Sequence, residues 1–201
     1  MKKIAFGIIL CILGIIGIIY NFINKLLLLA LFLCLSELSY TVIMNNRSNG
    51  SNFVNMIGFF MIIASIIIVK PTNEINKDIL LILSMIIVSD VFQEFSGRLF
   101  GKNKIGWISP NKTYEGYIGG YIGMLLFYFI YNHISKTHMN FVFINIIYVA
   151  GIVGDLFFSL IKRNYNIKDY SNLLLSHGGV LDRLDSFIFA LVAAHLFKLI
   201  M

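Results

Sequence analysis

The chain has 201 residues, 58% hydrophobic and only 13% charged, with a formal net charge of +6. Apolar runs approaching the roughly 20 residues that cross a bilayer core recur along its whole length, which excludes an ordinary soluble protein. In such a chain the excess of 16 Lys and Arg over 10 Asp and Glu reads as a topological signal and not as a nucleic-acid-binding surface.

Seven apolar segments follow one another: Ile4–Tyr20, Leu26–Met44, Phe53–Val69, Ile79–Phe95, Tyr114–Tyr131, Phe141–Ile161 and Leu184–Met201. Within hydrocarbon each must satisfy its own backbone polar groups, so each is expected to be helical; the alternation of a membrane barrel is absent. The expected fold is all-α, a polytopic integral membrane helical bundle of about seven transmembrane helices. The first segment has the basic start and apolar core of a signal peptide, but no small-x-small cleavage site follows it. It is expected to be a retained helix, joined to the second by a tight hairpin around Asn21-Phe22. Cys11 and Cys34 fall inside spans, without paired spacing or a Cys-His cluster, and read as small buried hydrophobes.

The loops set the orientation. With the N-terminus cytoplasmic, the inner side carries Lys2, Lys3, Arg47, Arg98, Lys102, Lys104, Lys112, Lys162, Arg163, Lys168 and Arg183. The outer side carries Lys25, Lys70, Lys77, Lys136 and Lys198. This bias follows the positive-inside rule and puts both polar loops, 96–113 and 162–183, on the cytoplasmic face, where nucleotides are found. Trp107 and several tyrosines near span ends read as interfacial anchors. In the fifth segment Gly116 and Gly120, then Gly119 and Gly123, stand four apart. Such spacing lets a second helix approach closely, and packing inside one bundle is the simpler reading than a dedicated dimer motif.

Chemistry concentrates between Gly154 and Asp185. Asp155, Ser159 and Lys162 stand at i, i+4 and i+7 of the sixth segment, on one helical face, with Arg163 beside them. An acid, a hydroxyl and two cations in that order suit a metal ion beside a phosphate chain, since Mg²⁺ is commonly held by one or two carboxylates plus substrate phosphates. Asp182 and Asp185 share a face of the last helix's first turn, where the helix dipole favours carboxylates. Just before them, Ser176-His177-Gly178-Gly179 is expected to let backbone approach a ligand and to offer free N–H groups to an anion. His177 is placed to orient a phosphate or carry a proton. Singly each feature has a plainer reading, a turn for Gly-Gly and an interfacial ion pair for Asp-Arg; together, at two helix ends facing one compartment, they read as a site.

A third cluster is Ser109-Pro110-Asn111-Lys112-Thr113-Tyr114-Glu115-Gly116. Lys112 and Thr113 are phosphate-contact candidates, and Ser109 or Glu115 is expected to cap the fifth helix. Asp90 near the end of the fourth segment is a candidate for function or for pairing with a cation of another helix. Glu37, alone in the second segment, is assigned no role.

Residues 159–185 closely resemble the signature of phosphatidate cytidylyltransferases, or CDP-diacylglycerol synthases. Ser159, Lys162, Arg163, Lys168, Asp169, His177, Gly178, Gly179, Asp182, Arg183 and Asp185 match it at fixed spacing. ISPNKTYEGYIGG and GRLFGKNK resemble two upstream family segments, so the resemblance covers roughly residues 85–201. The chain departs from the family pattern at Leu175, at Asn111 and over Val91–Glu94. The resemblance implies a catalytic membrane region at 85–201 preceded by variable membrane helices at 1–84. It implies cytidylyl transfer from CTP to phosphatidate, giving CDP-diacylglycerol and pyrophosphate for phospholipid synthesis at the cell membrane. Asp155 and Asp182 are then expected to hold Mg²⁺. Ser159 completes that shell; Lys162, Arg163 and Arg183 clamp phosphates, and Asp185 orients Arg183 or a metal-bound water. Lys112, Thr113, Lys168, His177, Gly178 and Gly179 are expected to bind substrate. The resemblance is compatible with a homodimer. Other readings are a CTP-dependent polyprenol or phytol kinase, a cytidylyltransferase for another lipid, and a transporter or non-catalytic membrane subunit. The gathering of charges on one side argues against transport, whose ion-path residues line the mid-membrane.

Overall fold

The computed structural model describes residues 22–44, 52–70, 77–106, 108–135, 139–174 and 178–200. The first expected segment with Cys11 and Asn21, and also Arg47, Trp107, Leu175, Ser176 and His177, lies outside the described residues. Within them are six helices: α1 (Ile23–Met44), α2 (Asn52–Ile68), α3 (Lys77–Phe100), α4 (Tyr114–Ser135), α5 (Phe141–Asn164) and α6 (Leu181–Ile200). Between α3 and α4 lies one antiparallel hairpin, β1 (Lys104–Ile105) and β2 (Ser109–Thr113). The helical membrane architecture stands; the hairpin is an addition to the all-α expectation, and the stretch 96–113 is a helix end and a hairpin where a loop was expected. Its strands are too short to show the period-2 alternation by which a strand is read from sequence.

Three helices, α1, α3 and α5, are long and apolar enough to cross a membrane by length and composition, and α2 is a shorter apolar helix. Their outward faces carry exposed Leu29, Phe32 and Ile43 on α1, Phe53, Phe60 and Ile67 on α2, and Val149 and Val153 on α5. Apolar surface of that extent suits lipid and not water.

Local chemistry explains the helix ends. The side chain of Asn140 caps α5, its Oδ1 accepting the Val142 N–H at 2.8 Å. The other end of α5 closes in a Schellman turn. Asn166 takes φ +56°, its N–H donates to the Arg163 carbonyl, and the Ile167 N–H reaches back to the Lys162 carbonyl. Lys162 and Arg163 therefore occupy the last turn, where the helix dipole favours cations. Thr113 caps α4, its Oγ1 accepting the Gly116 N–H at 3.1 Å. This corrects the expectation that Ser109 or Glu115 plays that part: Glu115 instead accepts the Asn103 backbone N–H at 3.2 Å and its Nδ2 at 2.7 Å, holding the entry to the hairpin.

The described residues belong to two compact units, one from Met1–Leu80 and Ile161–Leu184, the other from Leu81–Leu160 and Asp185–Met201. In the first, α1 packs on α2 around Leu31, Cys34, Leu38 and Ile62, all without solvent exposure. In the second, Met85, Met124, Ile144, Ile147, Phe158, Phe187 and Ile188 make the core.

The glycine stripe of α4 is consumed within that second unit. A Cβ on Gly116 would stand 3.0 Å from the Gln93 carbonyl oxygen and 3.4 Å from the Gly97 Cα, and one on Gly120 would stand 3.1 Å from the Ser89 carbonyl oxygen. Backbone thus meets backbone between α3 and α4 of one chain, the simpler of the two readings of the stripe. Gly116→Leu is expected to overpack this contact and destabilise by about 2–3 kcal/mol. Thermal unfolding in detergent micelles checks it, with Ile118→Leu at a position 62% exposed as control. Equal midpoints for the two variants would mean that the helices do not approach this closely.

Candidate active site

Polar groups gather in two places, one in each unit. In the first unit the centre is Lys162, in the last turn of α5, and Asp182, in the first turn of α6. Lys162 Nζ donates to Asp182 Oδ1 at 2.8 Å, with side chains only 11% and 7% exposed. The Tyr170 ring lies against the same ammonium, 5.7 Å from its centroid. Asp182 Oδ2 accepts two backbone N–H groups, from Tyr170 at 2.9 Å and Gly179 at 2.8 Å. Three donors on one carboxylate hold it rigidly.

The turn before α6 is shaped to permit this. Gly178 has φ +81°, a conformation that side-chain-bearing residues rarely adopt, and a Cβ there would stand 3.0 Å from Asp182 Oδ2. Beyond it, the Val180 and Leu181 N–H groups donate to the carboxylate of Glu37 in α1, at 3.0 and 2.8 Å. For Gly179, the expectation of an N–H free for an anion is therefore corrected. The chain's own carboxylates accept these N–H groups: Asp182 that of Gly179, just before the helix, and Glu37 those of Val180 and Leu181, two of the orphan donors that a helix start leaves. Arg163 donates from Nη1 to the Ile167 carbonyl at 3.3 Å, while Lys168, Asp169 and Arg183 are exposed.

In the second unit, Lys112 of β2 pairs with Oδ2 of Asp155 in α5. Asp155 is 8% exposed and Ser159, one turn on, is 6% exposed. Asp155 also lines a small cavity with Asp90, Ser89 and Gln93 of α3, Tyr148 of α5 and Ser186 of α6. At about 10 Å³ this cavity has the room of one water molecule. Asp90, from sequence a candidate for function or for ion pairing, thus shares a wall with Asp155. Asp185 is 8% exposed and accepts the Ser186 N–H at 2.7 Å. Thr113, expected as a phosphate contact, is 8% exposed and turns its hydroxyl to the α4 cap.

Among the described residues no group of three or more His, Cys, Asp and Glu gathers as a metal-ligand cluster. The structure brings together Lys162 with Asp182 and Lys112 with Asp155. Sequence reading missed Glu37, whose one signal was a lone acid in an apolar helix.

The family model described as the cytidylyltransferase family matches residues 2–201. A phosphatidate cytidylyltransferase of Bacillus subtilis is 33% identical over 174 residues, 81% of this chain and 64% of the relative. One from Staphylococcus epidermidis is 35% identical over 162 residues, 77% of this chain and 62% of the relative. One from Haemophilus influenzae is 39% identical over 117 residues, 54% of this chain and 41% of the relative. The chain thus spans a little under two thirds of the length of the first two relatives.

Proposed function

Because this chain belongs to the cytidylyltransferase family, we propose that it transfers a cytidylyl group from CTP to phosphatidate, giving CDP-diacylglycerol and pyrophosphate. The carrying observation is the buried Lys162–Asp182 pair, formed by two residues of the signature that the phosphatidate cytidylyltransferases share. In the reaction a phosphate oxygen of the lipid forms a bond to the α-phosphorus of CTP while the α–β bridging bond breaks. Pyrophosphate leaves with the electron pair. Phosphatidate is already an anion at neutral pH, so the protein needs no strong base; its work is to place two phosphates and stabilise the charge that develops.

The cations divide that work. Lys162, fixed by Asp182 and Tyr170, presents a desolvated positive charge, worth more to a phosphate than the same group in water. Lys112 on the hairpin is the second, with Arg163, Lys168 and Arg183 as further contacts for the triphosphate or the lipid phosphate. Ser159 supplies a hydroxyl on the face of α5 that carries Asp155. Gly178 and Gly179 act by shaping the turn that presents Asp182.

Mg²⁺ is part of the reading. Asp155 and Asp90 with Ser89, Gln93 and Ser186 around one cavity make an oxygen-rich donor set that fits a hard cation completed by substrate phosphates. Asp182, the other expected ligand, belongs to the first unit, where Lys162 and two amides already hold its carboxylate. When bound, the ion would supply positive charge to the phosphate oxygens. Residues 85–201 are the catalytic region of this reading, and the bias of Lys and Arg places its polar loops on the cytoplasmic face.

The test supplies purified, lipid-reconstituted protein with labelled CTP and dioleoyl phosphatidate, with and without Mg²⁺. Metal-dependent CDP-diacylglycerol with release of pyrophosphate is the expected result. Release of CDP with a phosphorylated lipid alcohol would identify a kinase, and no product with any lipid acceptor would identify a non-catalytic subunit.

A further inference from the structure

Glu37 lies in α1, outside the segment that resembles the family signature, and is only 4% exposed. An ionised carboxylate in an apolar helix is costly unless it is fully hydrogen-bonded. This one is: Oε1 accepts the Ser171 hydroxyl at 2.6 Å and the Val180 N–H at 3.0 Å, and Oε2 accepts the Leu181 N–H at 2.8 Å. A Cβ on Gly179 would stand 2.7–2.9 Å from the Glu37 carboxylate atoms, so that glycine is what lets Glu37 approach. Packing alone does not call for an acid here, since Cys34 and Leu38 beside it in α1 are completely buried apolar residues.

Two carboxylates therefore share the donors of one turn. Asp182 takes the N–H groups of Tyr170 and Gly179, and Glu37 takes those of Val180 and Leu181. Without Glu37, the Val180 and Leu181 amides would be left with Asp182 as the remaining carboxylate bonded to this turn. Drawing Asp182 toward them would loosen its hold on Lys162. We propose that Glu37 is a positioning residue for the transfer reaction, holding the first amides of α6 so that Asp182 stays aligned on Lys162. The proposal rests on the catalytic reading of Lys162 and Asp182. It gives the N-terminal helices a part in catalysis beyond anchoring.

The test compares full-length wild type with Glu37→Gln, in the same lipid, by hydrogen exchange and by steady-state turnover. Gln keeps the size and one acceptor but turns an NH₂ donor toward an N–H. Exchange over residues 178–182 is expected to rise about tenfold or more, as for loss of a charge-assisted hydrogen bond, with α2 unchanged. Turnover is expected to fall about 10–100-fold in kcat with KM for CTP within about threefold, because placement and not ground-state binding is altered. A role in folding alone would lower the thermal midpoint and leave the kcat of the folded fraction intact. Ser171→Ala, which removes one donor from Glu37, serves if the Gln variant does not fold; a kcat loss in the same direction, about threefold, is expected for one of three bonds. Wild-type turnover with kcat unchanged in the variant, or exchange raised throughout the protein, overturns the proposal. Absent wild-type turnover with exchange raised only at this turn overturns the catalytic reading and supports the Glu37 clamp.

Discussion

Asp182→Ala is expected to reduce formation of CDP-diacylglycerol by about 10³-fold and to destabilise the protein by about 3 kcal/mol, the cost of leaving a buried ion without its partner. Both effects trace to one carboxylate that meets Lys162 at 2.8 Å and the amides of Tyr170 and Gly179 at 2.9 and 2.8 Å. Removing it strands the Lys162 ammonium, 11% exposed, and two backbone donors together. Turnover and thermal unfolding must be separated, because a partly unfolded enzyme also loses activity. The double variant Lys162→Met with Asp182→Leu does so. Replacing a buried ion pair by apolar groups of similar volume is often neutral in stability. The double variant is therefore expected to recover the cost of the stranded ammonium and to keep only that of the Tyr170 and Gly179 amides, unfolding between Asp182→Ala and wild type. It should remain inactive, since the desolvated cation and its anchor are both gone. A double variant that regained both stability and turnover would sink the assignment of this pair to catalysis.

The residues around that pair were legible to very different degrees. Lys162, Asp182 and Asp185 stood out because charge inside an apolar chain is expensive, and the structure places Lys162 in the last turn of α5 and Asp182 in the first turn of α6. The pairing was not legible. Lys162 and Asp182 are 20 positions apart, and the path between them includes the Schellman turn at Asn166 and the left-handed Gly178. The partner of Glu37 was further out of reach, because a bond spanning 144 positions to the Leu181 N–H leaves no periodic trace. The same limit explains the turn amides. Gly178-Gly179 correctly signalled a close backbone approach, but the approaching group is a carboxylate of the chain itself and not a substrate anion. On α4 the glycine spacing was legible as a close helix contact, while the identity of the other helix, α3, required the structure. The hairpin at 104–113 was lost for a simpler reason: five residues containing Pro110 carry too little alternation to be told from a loop.

Asp155→Asn is expected to leave a different signature, because its surroundings differ. Its carboxylate pairs with Lys112, 26% exposed at the side chain, so screening by solvent keeps the stability loss near about 1 kcal/mol. Its main effect falls on the cation requirement. Asp155 and Asp90 line one cavity, and an amide in place of a carboxylate removes a full negative charge from the proposed hard-cation site. The Mg²⁺ concentration for half-maximal turnover should rise about 10–100-fold, the range seen when a metal site loses a supporting group. Lys112→Met should behave in the opposite sense. It frees the Asp155 carboxylate from a competing cation, so the Mg²⁺ requirement should stay level or fall, while KM for CTP rises with the loss of a phosphate contact. Protection against thermal unfolding by Mg²⁺ alone gives a reading that needs no turnover, since a ligand of the folded state raises stability in proportion to the logarithm of its occupancy. Wild type and Lys112→Met should be protected and Asp155→Asn should not. Equal protection of all three would place the ion elsewhere and leave Asp155 as the counter-ion that holds Lys112 toward substrate.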